Sequence, residues 1–121
     1  DFFPTQCALA GAQLPAGYAS DGEDRSAALR GKPQSKRARP LFWEYGRNEK
    51  SFAYPRPAGD RSPTLAVREG DWKLLANPEG GGEELYELGA DPKETRNLAT
   101  EKPELAARLA KAVREWRKGL P

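Results

Sequence analysis

Few side chains in this chain could do chemistry in concert. Cys7 is the single cysteine, and there is no histidine. A thiol acting as a nucleophile needs a base beside it to make the thiolate, and histidine is the side chain best matched to proton transfer near neutral pH. Without one, Cys7 reads as a small apolar residue on the buried side of a helix. A lone cysteine also excludes an internal disulfide and a multi-cysteine metal site. Asp21-Gly22-Glu23-Asp24 opens like a calcium loop, but the other ligand positions are missing, and a turn leading into a helix accounts for it. Gly80-Gly81-Gly82 is followed by Glu83, not by Lys-Ser or Lys-Thr, so it is not a phosphate loop. Asp91-Pro92-Lys93-Glu94 reads as an Asx-type turn that Asn97 helps to close. What remains is Glu44, Tyr45 and Arg47. Alternation puts Trp43 and Tyr45 on one face of a strand and Phe42 and Glu44 on the other. Two readings stay open: an edge strand with ordinary packing, favoured for Phe42 and Trp43, or the rim of a ligand site, with Glu44, Tyr45 and Arg47 as its binding residues.

The elements that must position these residues are legible from hydrophobic period. Thr64 to Asn77 reads as a hairpin with Glu69-Gly70 at the tip, pairing Val67 with Trp72 and Leu65 with Leu74. A longer turn with Gly70 in the left-handed region is the other option. Either way all four large apolar groups share a face, while Ala66, Arg68, Asp71 and Lys73 point away. Leu41 to Tyr45, bounded by Pro40 and Gly46, is a further strand, and Glu83 to Leu88 is a fourth. Asn48 to Ser62 is a long connection with Pro55, Pro57 and Gly59. After Pro103, a stripe of Leu105, Leu109, Val113, Trp116 and Leu120 at spacings of four and three marks a helix. It is the natural cover for the sheet's apolar face, and Trp72 and Trp116 are expected to meet across that interface. Nearer the start, Asp1 is expected to cap a helix that Gly11 stops, and Ser26 to cap a short helix through Leu29. The basic stretch Lys32, Lys36, Arg37, Arg39 reads as a solvated linker. The expected class is α+β, with four antiparallel strands and one covering helix.

Composition closes off several functions. The 121 residues are 37% hydrophobic, with a mean hydropathy of -0.85, and no apolar run approaches the ~20 residues of a membrane span. A net charge of +2 is near balance, so nucleic acid is not an expected partner. The chain has no methionine and begins at Asp1, which reads as the cut end of a domain excised from a longer protein.

Several blocks, taken in order, resemble the carboxy-terminal region of the sulfatases, the arylsulfatase-like members of the alkaline phosphatase-like superfamily. Asp1-Phe2-Phe3-Pro4-Thr5 with Leu9-Ala10-Gly11 and Leu14-Pro15 is similar to a helix near the end of the catalytic domain. Asp21-Gly22-Glu23-Asp24, Ser26 and Leu29-Arg30-Gly31 are similar to the turn and helix that follow. Leu41 to Tyr45, Ala66 to Leu74, and Glu84-Leu85-Tyr86-Glu87-Leu88 through Asp91-Pro92, Glu94 and Asn97-Leu98-Ala99 resemble the small subdomain. Gln6 and Arg25 depart from the family, which has apolar residues there.

The resemblance implies a small four-stranded antiparallel sheet against a C-terminal helix, preceded by helical remnants of the catalytic α/β domain. It divides the chain into residues 1–39, the end of the catalytic domain and a linker, and 40–121, the subdomain. It also implies what lies elsewhere. Sulfatases hydrolyse sulfate esters with a formylglycine made in a Cys/Ser-x-Pro-x-Arg sequence, beside a calcium ion. Cys7 is followed by Ala8-Leu9-Ala10 and is not that cysteine. The expectation is a fragment, inactive alone and with no cofactor of its own. Its partner is the missing catalytic domain, and it meets a sulfate ester substrate only in the intact enzyme. Such enzymes are often periplasmic, secreted or lysosomal. The competing expectation is a stand-alone, non-enzymatic binding or interaction domain.

Overall fold

The structure, a computed structural model, describes residues 1–45 and 61–120. It falls into two compact units, Asp1–Ala38 and Arg39–Pro121.

The first unit holds α1 (Phe2–Ala10) and α2 (Ser26–Leu29). Gly11 ends α1 at φ 70°, where the absence of a Cβ removes the left-handed penalty, and the Ala12 amide closes on the Cys7 carbonyl at 2.8 Å. Asp1 does not cap α1 with its side chain. Its carboxylate instead accepts the Glu23 amide at 2.8 Å and pairs with Arg37, because those donors face it across the unit. The expected cap on α2 moves as well. Ser26 lies inside the helix, and Asp24 Oδ1 takes its amide at 2.8 Å. Thr5 is buried because its hydroxyl accepts the Arg25 amide at 2.9 Å. Phe2, at 79% exposure, and Leu29, at 68%, stand out in solvent.

The second unit is the α+β layer. Strands β1 (Leu41–Glu44), β2 (Leu65–Glu69), β3 (Trp72–Ala76) and β4 (Glu84–Glu87) form one antiparallel sheet in sequence order, followed by α3 (Pro103–Lys118). The hairpin tip is Gly70-Asp71, one residue later than expected, so Glu69 faces Trp72 and Val67 faces Leu74. The reason is Gly70 at φ 60° in the first loop position with a non-positive φ at Asp71, the pattern of a two-residue hairpin turn that needs Gly first. The slip displaces each pairing by two residues, an even number, so every side chain keeps its expected face.

One row across the sheet, Phe42–Val67–Leu74–Leu85, faces α3. Val67, Leu74 and Leu85 are fully buried with Leu65, Leu109 and Val113, each such side chain contributing about 1.5–3 kcal/mol by leaving water. Ala106 and Ala110 complete the buried stripe of α3 and let the helix lie close. Glu104 in its first turn and Arg117 and Lys118 in its last suit the helix dipole.

The two tryptophans do not form a pair. Trp116 stacks on Phe42 of β1, with centroids 5.5 Å apart and planes at 13°. Trp72 lies under the Lys102 ammonium at 5.2 Å. Residues 102 and 116 are separated by about 21 Å of helix at 1.5 Å per residue, which is why both line one core without meeting.

The free edge of β4 is closed by the segment that follows it. Asn97 Oδ1 accepts the Leu85 amide at 3.0 Å and the Ala99 amide at 2.9 Å, its amide group donates to the Glu83 carbonyl at 3.2 Å, and the Leu98 amide reaches the Leu85 carbonyl at 2.7 Å. A strand edge is thereby satisfied without a fifth strand.

Candidate functional site

The end of β1 divides the expected site residues between the two faces of the sheet. Glu44 points toward α3, where Oε1 accepts from Arg117 Nε at 3.0 Å and its side chain is only 9% exposed. Tyr45 extends the β1–β2 ladder by one step, its amide donating to the Thr64 carbonyl at 2.8 Å, and it lines the opposite face. Arg47 lies outside the described residues.

Among the described residues, Glu44 is one of three carboxylates that tie the sheet to α3. Arg108 pairs with Glu69, and Arg114 pairs with Glu83 while its Nε donates to the Asn77 carbonyl at 3.0 Å. The hydrogen bond from Arg108 holds the Glu69 carboxyl below its ordinary value, and Arg114 does the same for Glu83. These arginines fasten the helix to the sheet.

The opposite face of the sheet carries a hollow of about 340 Å³. Its floor follows from strand register: Trp43, Ala66, Leu75 and Glu84 form one row across all four strands. Ala66 is the small member of that row, and the dip opens above it between larger neighbours. On the adjacent row Lys73 faces Tyr86. Lys73 Nζ reaches both oxygens of Glu94 at 2.7 and 2.6 Å, and the Tyr86 hydroxyl donates to Glu84 Oε2 at 2.8 Å. Burial first, and then the Glu84 carboxylate, push the Tyr86 phenol up to about 12, so it remains a donor at any ordinary pH. Glu94 takes a left-handed φ of 56°, a conformation that costs a non-glycine residue about 1–2 kcal/mol. The sequence reading places Glu94 in an Asx-type turn and Lys73, Glu84 and Tyr86 on strands, and names none of them as a site residue. The cross-strand register would have found Lys73, Glu84 and Tyr86, which share a face with Trp43 and Ala66, but not Glu94, which lies outside the strands.

A larger hollow, about 870 Å³, runs beside Ala106, Ala107 and Ala110 of α3. It is open and alanine-floored, and its Arg114 is already bonded to Glu83. Among the described residues no group of three or more His, Cys, Asp or Glu side chains could hold a metal ion, and Cys7 has no histidine to activate it. Among the described residues no helix is long and apolar enough to cross a membrane.

A meandering four-stranded sheet under one C-terminal helix, after two short helices, is the architecture of sulfatase C-terminal regions, and the chain resembles that region in both sequence and fold. It is 35% identical over 99 residues to a Delta 4,5-hexuronate-2-O-sulfatase of Bacteroides thetaiotaomicron, a match covering 82% of this chain and 18% of that protein. It is 32% identical to arylsulfatase K of Mus musculus over 78 residues, 55% of this chain and 14% of the relative. Among solved structures, a 2-O GAG sulfatase superposes with a TM-score of 0.63 at 30% identity, covering 96% of this chain and 23% of the other. The chain thus spans less than a quarter of each of these proteins. No family model matches it.

Proposed function

We propose that this chain is the C-terminal region of a sulfatase, a sulfuric ester hydrolase, with residues 1–39 the end of the catalytic domain and a linker and residues 40–121 the C-terminal subdomain, and that it supports the catalytic domain instead of cleaving sulfate esters itself. The observation that carries the reading is the agreement of fold and sequence with sulfatases over 96% of the chain. Relatives four or more times as long leave room for a catalytic body outside it. A calcium ion and a formylglycine would supply the electrophilic and nucleophilic chemistry of ester cleavage in that body. In the whole enzyme the end of β1 would line the part of the substrate that does not carry the sulfate. Tyr45 is turned to the open face for this task, Arg47 follows it in the chain, and Glu44 anchors the strand to Arg117.

Two measurements test the reading. The purified chain is expected to release no product from an aryl sulfate, and turnover above a heat-killed control would overturn its dependence on a catalytic body. The reading frame upstream of Asp1 is expected to encode a Cys/Ser-x-Pro-x-Arg sequence. A start codon immediately before Asp1 would replace this reading with a stand-alone binding domain.

A further inference from the structure

We infer that β1 and the last turn of α3 form a latch on a core that stands without them, so that the end of β1 is released and recaptured while the rest of the unit stays folded. The opening itself follows from burial and bonding. Its bearing on substrate rests on the proposal that the β1 end lines the substrate.

The buried core divides the unit unevenly. Among the described residues, its cluster of buried side chains is drawn from β2, β3, β4 and α3 and includes none from β1. The side chains of β1 alternate between exposed and half-buried, and Leu41 and Trp43 are each 39% exposed. Burial of apolar surface is the main favourable term in folding, so β1 is the strand the core needs least. Val113 is the last fully buried residue of α3. Trp116 and Arg117 lie beyond it, and these are the residues that β1 meets. Phe42 stacks on Trp116 at 5.5 Å, and Glu44 accepts from Arg117 at 3.0 Å. The clasp therefore joins an edge strand to a helix end, outside the cluster that binds the other three strands to α3. Three strands packed on a helix are enough for independent stability.

Topology lets β1 leave alone. It stands at one end of the order β1-β2-β3-β4, so its release breaks one ladder and does not split the sheet. The opposite edge stays closed by Asn97 on the Leu85 amide and by the Leu98 amide on the Leu85 carbonyl, bonds in which β1 has no part. Adjacent residues of β2 report the two sides separately. The Tyr45 amide bonds to the Thr64 carbonyl at 2.8 Å. Bonded and unbonded pairs alternate along an antiparallel ladder, so Trp43 and Ala66 are the next bonded pair. Val67 is turned to β3, where it faces Leu74. Opening of β1 strips Ala66 of its partner and leaves Val67 with its own. Elements that move for function come from the weakly buried end of a fold. On the proposed reading, Tyr45 swings with β1, and the substrate rim opens without unfolding the sheet.

Native-state hydrogen exchange of the whole 121-residue chain, followed by NMR at low urea concentrations, tests this. The amides of Trp43, Tyr45 and Ala66 are expected to be at least about tenfold less protected than those of Val67, Leu74 and Leu109, and nearly indifferent to urea, as a small opening requires. Asn97→Ala should speed the second set about thirtyfold, the equivalent of one stranded amide, and leave the first set unchanged, because it weakens the latched and unlatched forms alike. Arg117→Gln should speed the first set about fivefold. Equal protection of the two sets overturns the inference, as does a common urea slope, a common response to Asn97→Ala, or a first set that Arg117→Gln leaves unmoved. Should Asn97→Ala fail to fold, the urea slopes of the unaltered chain decide. The exchange involves no sulfate ester and no upstream sequence, so its failure leaves the sulfatase reading standing, and a start codon before Asp1 leaves the latch standing.

Discussion

Replacing Trp116 by alanine removes the ring that stacks on Phe42 at 5.5 Å and shields the end of the core beneath α3. Truncating a core Trp costs about 3–5 kcal/mol. Trp116 is only half-buried, so the low end, about 3 kcal/mol, is the appropriate figure. The unit Arg39–Pro121 has roughly 80 residues, for which the whole folding free energy is about 4–12 kcal/mol. A domain of that size loses about 4–8 °C of Tm per kcal/mol, so the variant should melt some 12–24 °C lower. Far-UV circular dichroism during heating and urea titration measures this. A cycle with Phe42→Ala then separates the stack from burial, and a coupling of about 0.5–1.5 kcal/mol is expected. An unchanged midpoint for Trp116→Ala, or strict additivity with Phe42→Ala, would refute this packing of α3 on β1. Trp72→Ala should be additive with Trp116→Ala, since the two rings lie at opposite ends of the helix.

Asn97→Ala should cost about 2–3 kcal/mol, because it strands the Leu85 amide at the β4 edge. Asn97→Asp should recover part of the loss by accepting from Leu85 and Ala99 while failing to donate to Glu83, and urea midpoints of the two variants rank them. Acid should loosen α3 as well. Glu69 and Glu83 have folded pKa values held below the ordinary 4.5 by Arg108 and Arg114. Their contribution is therefore complete above that value and is lost as pH falls from there through the depressed folded values. Both pairs are partly exposed, which limits each to no more than about 1 kcal/mol. Melting temperature against pH should fall below pH 4.5, and less steeply in Arg108→Gln and Arg114→Gln.

The inner face of the sheet was readable because its signal repeats. Leu65, Val67, Trp72 and Leu74 alternate at period two, and Leu109, Val113 and Trp116 recur at helical period, so each element names the face it buries. The hairpin tip was misplaced by one residue because glycine suits several loop positions. The parity of the pairing, which decides burial, was unaffected. Asp1 and Ser26 read as caps since local sequence favours capping. The structure gives the Asp1 carboxylate to Glu23 and Arg37 and the Ser26 amide to Asp24. Contacts spanning twenty or more residues leave no local trace, and the Asp1 contacts are of that kind.

The outer face was harder to read for a different reason. Its groups lie far apart in the chain, from Trp43 to Glu94, and no short stretch contains two walls of the hollow. Only the order β1-β2-β3-β4 with its register places Trp43 in line with Glu84. Glu44 sits on the face opposite Tyr45, as strand alternation in the sequence already placed it, and there it accepts from Arg117. The same alternation makes β1 useful at both faces. Phe42 and Glu44 fasten it to Trp116 and Arg117, and this fastening fixes the direction in which Trp43 and Tyr45 emerge. A helix that α3's core residues alone would hold could still shift along the sheet. The arginine pairs at Glu44, Glu69 and Glu83 tie it at three separated points. They contribute little stability apiece, but they set where the edge strand lies, and with it the geometry of the open face.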